Sequence, residues 1–209
     1  MPEKETGIIP IEKCPVITIS REYGALGRTL AAKLSERLGI PYYDRDFVKK
    51  TAEESGYAVE DVEHEGEELS GSSRVLNKIL NSAVSYSSSY DGIYKAQKKV
   101  VLQLAQDPCI IVGRCADHIL REEGKNVFCV YLYASVKDRL DHVAELAENG
   151  TMSIEKYIEK RDKLRKTYYK QYTGHEMGNA NNYNICFDTG RINAETCADV
   201  IIDILSREQ

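Results

Sequence analysis

Apolar residues along this chain follow two rhythms. Short unbroken runs stand at PVITIS (15–20), CIIVG (109–113), NVFCVYLYA (126–134) and YNICFD (183–188). They have the length and β-branched content of strands buried on both faces. IPYYD (40–44) is a further short strand. Between the runs, apolar positions recur every three or four residues, the spacing of a helix with one buried stripe. Leu30, Ala31, Leu34 and Leu38 form such a stripe from Gly27 onward, and Gly39 stops it. Helical patterns also cover 45–56, 74–84 and 93–106, then a segment running on from Gly113-Arg114 to Glu123. VKDRLDHVAELAEN follows with Ser135 as its N-cap and Gly150 as its stop. The charged stretch IEKYIEKRDKLRKTYYKQY and residues 193–206 complete the set. Strands of this kind alternating with helices predict an α/β fold, a parallel sheet covered by helices. Parallel neighbours must be joined by crossovers, which helices supply.

Ligands in such sheets bind beyond the carboxyl ends of the strands. That rule selects Arg21 to Thr29, Asp44 to Asp46, Gly113 to Asp117, and Ala134 onward, where polar residues do cluster. The first group reads REYGALGRT. A phosphate loop needs glycines that let backbone amides close on an anion at a helix N-terminus. Its usual form, GxxxxGK[ST], adds a lysine and a hydroxyl that binds Mg²⁺. Here Glu22 stands at the first glycine and Arg28 at the lysine, while Gly24, Ala25, Gly27 and Thr29 keep the character of the loop. Arginine grips phosphate oxygens in a fork rather than as a point charge. A shifted alignment places Gly27 at the lysine position and leaves Arg21 to supply the charge. The plainer alternative is a strand-to-helix turn that needs two glycines for its shape.

Composition narrows the classes. The 209 residues carry a formal net charge of -5, with 42% apolar and 29% charged residues. This is the balance of one globular domain, not of a nucleic-acid binder with a basic stripe. The apolar runs are too short to span a membrane. The segment 1–14 reads as a loose charged leader with no signal-peptide core, so a cytoplasmic location is expected. Cys14, Cys109, Cys115, Cys129, Cys186 and Cys197 are scattered without zinc spacing and several sit in apolar runs, as small hydrophobes do. Residues 57–92, acidic and then rich in serine and tyrosine, break the rhythm and read as a solvated surface or mobile loop.

Taken in order, ITISREYGALGRTLAAKLSERLGIPYYDRDFV, CIIVGRCADHIL, FCVYLYASVKDRL, RDKLRKTYYKQYTG and NYNICFDTGRINAETCADVI resemble the cytidylate kinase-like family of P-loop kinases. The resemblance implies a P-loop NTPase fold with a parallel five-stranded core. A helical acceptor-binding region at about 45–108 and a lid at about 150–180 are implied with it. It also implies ATP and Mg²⁺ as cofactors, and transfer of a phosphoryl group to a small acceptor such as CMP or dCMP. Carried over position by position, Gly24, Gly27, Arg28 and Thr29 match the phosphate loop, with Thr29 as the metal ligand. Asp44 and Arg114 match the acceptor site, and Asp117 and Asp162 are expected at the substrate with them. Arg161, Asp162 and Arg165 match the lid. Each has a bland counterpart: Asp44 as a helix cap, Asp117 as helix surface, Arg161 and Arg165 as solvated pairs on one helix face. Two departures stand out. Arg28 replaces the lysine, and the second block reads Gly113-Arg114-Cys115 where cytidylate kinases have Gly-Arg-Asp. Kinases of another small metabolite, or a weakly catalytic nucleotide-binding protein, are therefore alternatives. A homodimer is compatible with all of them.

Overall fold

A computed structural model of the chain describes residues 13–44, 51, 53, 56, 89–146, 148 and 150–207. In chain order the elements are β1 (Val16–Arg21), α1 (Gly27–Leu38), β2 (Tyr42–Tyr43), α2 (Ser89–Leu104), β3 (Ile110–Val112), α3 (Ala116–Glu122), β4 (Val127–Tyr133), α4 (Val136–Leu146), α5 (Ile154–Thr173), β5 (Ile185–Asp188) and α6 (Ala194–Arg207). A 3₁₀ turn at Ala180–Asn182 precedes β5. The five strands form one sheet in the order β2-β3-β1-β4-β5, and every pairing is parallel. β1 is therefore central and buried at every position, which is why its sequence is an unbroken apolar run rather than an alternating one.

Side chains alternate across the sheet and divide the core in two. Ile17, Ile19, Ile110, Val112, Val130 and Leu132 pack with Leu30 and Leu34 of α1 and with Ala198 and Ile201 of α6. Val16 and Ile111 face the other way, onto Val100 and Val101 of α2, Ile119 and Leu120 of α3, and Tyr168 and Tyr169 of α5. Leu30 and Leu34, at 1% and 0% exposure, are each worth roughly 2–3 kcal/mol of burial. Gly39 ends α1 as expected. Its φ of 67° is left-handed, and its amide returns to the Ser35 carbonyl at 3.0 Å.

Three boundaries differ from the sequence pattern. The IPYYD strand contracts to two residues, because Pro41 has no amide to offer and Asp44 turns out of the ladder to meet two arginines. The last strand begins at Ile185 rather than Tyr183. Asn184 Oδ1 accepts the Cys129 amide at 2.8 Å, so a side chain stands in for the backbone there. The helix expected to run on to Gly150 ends at Leu146. Its start is as expected, since the Ser135 hydroxyl accepts the Asp138 amide at 3.2 Å. The segment up to residue 12, nearly all of the helical pattern at 45–56, and the whole of that at 74–84 lie outside the described residues, as does 57–88. Among the described residues no helix is long and apolar enough to cross a membrane. All six cysteines are free thiols, five of them buried.

Candidate active site

The turn between β1 and α1 is built from its backbone outward. Gly24 has φ of 81° and Leu26, at the helix N-cap, has φ of 61°. Both are left-handed, a conformation that folds the chain back so that successive amides converge. A Cβ on Gly24 would lie 2.5 Å from Val143 Cγ2, and one on Gly27 would lie 3.0 Å from Arg21 Cγ. The glycines thus serve two ends, the hand of the turn and the close approach of α4 and Arg21. The first-turn amides of α1 have no intrahelical acceptor, and no side chain caps them. They border a cleft holding about 530 Å³ of empty space, lined by residues 21–29, by Arg161 and Arg165, and by His142, Leu146 and Glu148. Arg21, Gly24, Ala25, Gly27, Arg28 and Thr29 are all on its wall, so every residue proposed for the phosphate loop is gathered there.

A second cavity of about 260 Å³ adjoins the carboxyl ends of β1 and β3. Ser20, Arg21, Gly113, Arg114, Cys115, Arg165, Tyr168, Tyr169 and Met177 line it. Arg21 and Arg165 belong to both cavities. With Arg114 they make three guanidiniums, each only 7% exposed. Gly113, Arg114 and Cys115 have φ of 76°, 63° and 54°. Three consecutive left-handed residues, two of them not glycine, cost about 1–2 kcal/mol per non-glycine residue. The turn they form sets Arg114 and Cys115 on the cavity wall.

The three carboxylates matched by the resemblance are each partnered within the protein. Asp44 is a counter-ion, 3.8 Å from Arg21 Nη2 and hydrogen-bonded by Arg28 Nε. It draws Arg28, whose side chain is half exposed, toward the end of β2. Asp162, expected in the substrate set, has both oxygens committed inside the protein. Oδ1 accepts the Tyr23 amide at 2.7 Å and Oδ2 accepts Arg139 Nη1 at 2.8 Å. Arg139 Nη1 also donates to the Tyr23 carbonyl at 2.7 Å, and its Nη2 lies 3.5 Å from Glu22 Oε2. Asp117, also expected at the substrate, is 2% exposed and sits behind the cavity rather than on its wall. Tyr169, which is on the wall, donates to its Oδ2 at 2.7 Å. Helix α5, the expected lid, is pinned to α2 by Tyr168, whose hydroxyl donates to Gln97 Oε1 at 2.9 Å, and by Tyr172, whose ring stacks on Tyr94 at 4.2 Å.

Arg139, Tyr23 and His142 are absent from the sequence-derived set. Arg139 had a legible signal. It falls on the apolar stripe of α4, between Val136 and Val143, and an arginine on a buried face needs a buried partner. Tyr23 had none, because its role depends on contacts 125 and 139 residues away in sequence.

Burial pushes the Asp117 carboxyl above its ordinary value of 3.8, outweighing the Tyr169 hydrogen bond that pulls it down. A carboxyl raised by folding supports the fold fully below its unfolded pKa, and that support is lost as pH rises through the folded value. Asp117→Asn keeps an acceptor for Tyr169 without the charge. It is expected to be more stable than the parent at pH 7, with the gap closing toward pH 3.8. Urea midpoints across that range test this, and a gap that stays constant with pH counts against it.

A parallel five-stranded sheet, a glycine-bearing turn into α1 and an arginine-lined cleft at the strand ends define a P-loop kinase fold. The chain belongs to the cytidylate kinase-like family, whose model matches residues 16–191. It is 26% identical over 174 residues to the cytidylate kinase of Thermoplasma acidophilum, covering 83% of this chain and 82% of that protein. Among solved structures, an uncharacterized protein from Eubacterium ventriosum shares the fold with a TM-score of 0.67 at 23% identity, over 92% of this chain and 98% of that one. Shikimate kinase from Acinetobacter baumannii, solved with shikimate, gives a TM-score of 0.57 at 17% identity, over 95% and 97%. Family membership supports a kinase that transfers a phosphoryl group.

Proposed function

We propose that the chain moves the γ-phosphoryl group of ATP, with Mg²⁺, to a small phosphorylated acceptor, with CMP or dCMP as the first candidate. The observation that carries this is the sharing of Arg21 and Arg165 between the two cavities. Two buried guanidiniums stand between a cradle for one anion and a pocket for another, where a transferred group would pass. Phosphoryl transfer needs little else. Charge spreads over the moving oxygens, and catalysis is positioning plus electrostatic clamping.

The cleft fits the nucleotide's phosphates: convergent amides, a Gly24 whose Cβ would collide with Val143, a Gly27 whose Cβ would crowd Arg21, and no acidic residue in the first turn of α1. Thr29 would hold Mg²⁺ through its hydroxyl. Among the described residues there is no group of three His, Cys, Asp or Glu side chains that could cage a metal. Phosphate oxygens and water would complete the shell, the arrangement Mg²⁺ favours. When bound, ATP supplies the phosphoryl group and Mg²⁺ offsets charge on its oxygens. The chain's own residues do the rest. Loop amides fix the phosphate tail. Arg114 holds the acceptor's anionic end. Arg21 and Arg165 draw the two anions together despite their repulsion, and α5 with its arginines covers the cleft against water.

A second reading, a different phosphorylated metabolite as acceptor, is favoured by Cys115. On the cavity wall it offers a weak thiol donor where a carboxylate would accept firmly from a base amino group. ADP release measured with Mg·ATP and a panel of nucleoside monophosphates and sugar phosphates separates the two. Turnover on CMP and dCMP above the rest is expected, abolished by EDTA. ADP release that no acceptor in the panel stimulates would sink the kinase reading.

A further inference from the structure

We infer that Tyr23 is a positioning residue whose ring is the platform that holds the two lid guanidiniums in the phosphate cleft. The inference rests on the reading above, in which Arg161 and Arg165 act on the transferred group.

Tyr23 sits inside the phosphate loop, between Glu22 and Gly24, yet it is only 5% exposed. A loop residue beside an open cleft is ordinarily wet, so its burial needs a cause. The residue is held at three points. Its amide donates to Asp162 of α5 at 2.7 Å. Its carbonyl accepts from Arg139 of α4 at 2.7 Å. Its hydroxyl donates to Glu148, which follows α4. Backbone and hydroxyl together fix the long axis of the ring, and the side chains packed on it set its plane. Tyr157 meets the ring edge-on, with centroids 5.4 Å apart at 86°, and Val143 and Ile158 pack beside it.

Both lid arginines lie against this ring. Arg161 Cζ is 5.1 Å from the centroid and Arg165 Cζ is 5.2 Å; Arg161 is also 5.7 Å from the Tyr157 centroid. Two guanidiniums in one cleft repel each other and would spread into solvent if left to their long side chains. An aromatic face attracts each of them, most strongly where water is scarce. A face-on aromatic contact orients a guanidinium whatever its other partners are. The arginines are thereby placed in advance beside the phosphate cradle, which is the preorganisation that electrostatic catalysis requires. The ring belongs to the same loop whose amides line the cleft, so cradle and lid arginines keep a common frame.

The test uses the full-length chain with Tyr23→Phe and Tyr23→Leu, read in two ways. In steady-state kinetics, Leu is expected to lower kcat about 30-fold with the ATP dissociation constant within about threefold of the parent, whereas Phe stays within about threefold in both. In NMR of arginine-labelled protein, the Nε–H resonances of Arg161 and Arg165, shielded by the ring, are expected to move downfield in Leu and to hold in Phe. Tyr23→Met, which fills the space without a π face, replaces Leu if that variant does not fold. The platform is overturned if the flat-faced and faceless variants behave alike in kcat, or if both resonances stay in place when the ring is gone. If the parent itself turns over no acceptor, the kinase reading fails on its own, and the resonances still decide whether the ring carries the arginines.

Discussion

Replacing Arg165 by alanine is expected to lower kcat about a thousandfold, with nucleotide affinity changed no more than about fivefold. Arg165 is 7% exposed and lines both cavities, which on the proposed reading take the donor phosphates and the acceptor. Its worth therefore lies in the state where charge is shared between donor and acceptor, not in either ground state. Interactions made only in the transition state reduce kcat and kcat/KM together, which distinguishes this from a lost binding contact. Removing one preorganised donor from such a site costs about 10²–10³ in rate, and arginines acting on phosphoryl groups reach 10³–10⁵. Arg165→Lys is expected to recover a minor part only, because an ammonium cannot offer the planar fork or lie flat on the Tyr23 ring. Steady-state kinetics with calorimetric ATP titration measures both quantities. A kcat within threefold of the parent would show that Arg165 is outside the reaction.

Asp162→Ala carries the largest expected effect on stability, a loss of about 3–5 kcal/mol. Arg139, with its side chain 4% exposed, would keep its charge and lose its closest carboxylate. The Tyr23 amide would lose its acceptor at the same stroke. Breaking a buried pair from one side costs more than the pair itself is worth, since the survivor remains desolvated. Glu22 lies 3.5 Å from Arg139 and softens the loss without removing it. Asp162→Asn, which retains an oxygen for the Tyr23 amide but no charge for Arg139, is expected to fall between. Urea unfolding gives the ordering directly, and a loss under about 1 kcal/mol for the alanine variant would mean that the β1–α1 loop and α5 are not joined there.

Strand and helix positions were legible because burial imposes composition. β1 and β4 are covered on both faces and so read as unbroken apolar runs. α1 carries its stripe in twelve residues, with its stopping glycine directly after them. The position of Arg114 on a pocket wall was legible too, since a charged residue just past a buried strand needs a ligand or a partner. The carboxylates were not, because a carboxylate looks the same in sequence whether it faces a substrate or an arginine from a distant element. Asp162 belongs with Arg139, 23 residues away, and Asp117 with Tyr169, 52 residues away. Only the folded chain makes those partnerships visible.

The left-handed hook at Gly113–Cys115 also limits which side chains position 115 can carry at ease. Apart from glycine, the side chains most at ease in that backbone hand are asparagine, aspartate and histidine. Aspartate is what cytidylate kinases carry at the position held here by Cys115. Exchanging the two leaves the hook, and the arginine it presents, undisturbed. Should residue 115 contact the acceptor as proposed, its side chain could change without altering the backbone turn that carries Arg114.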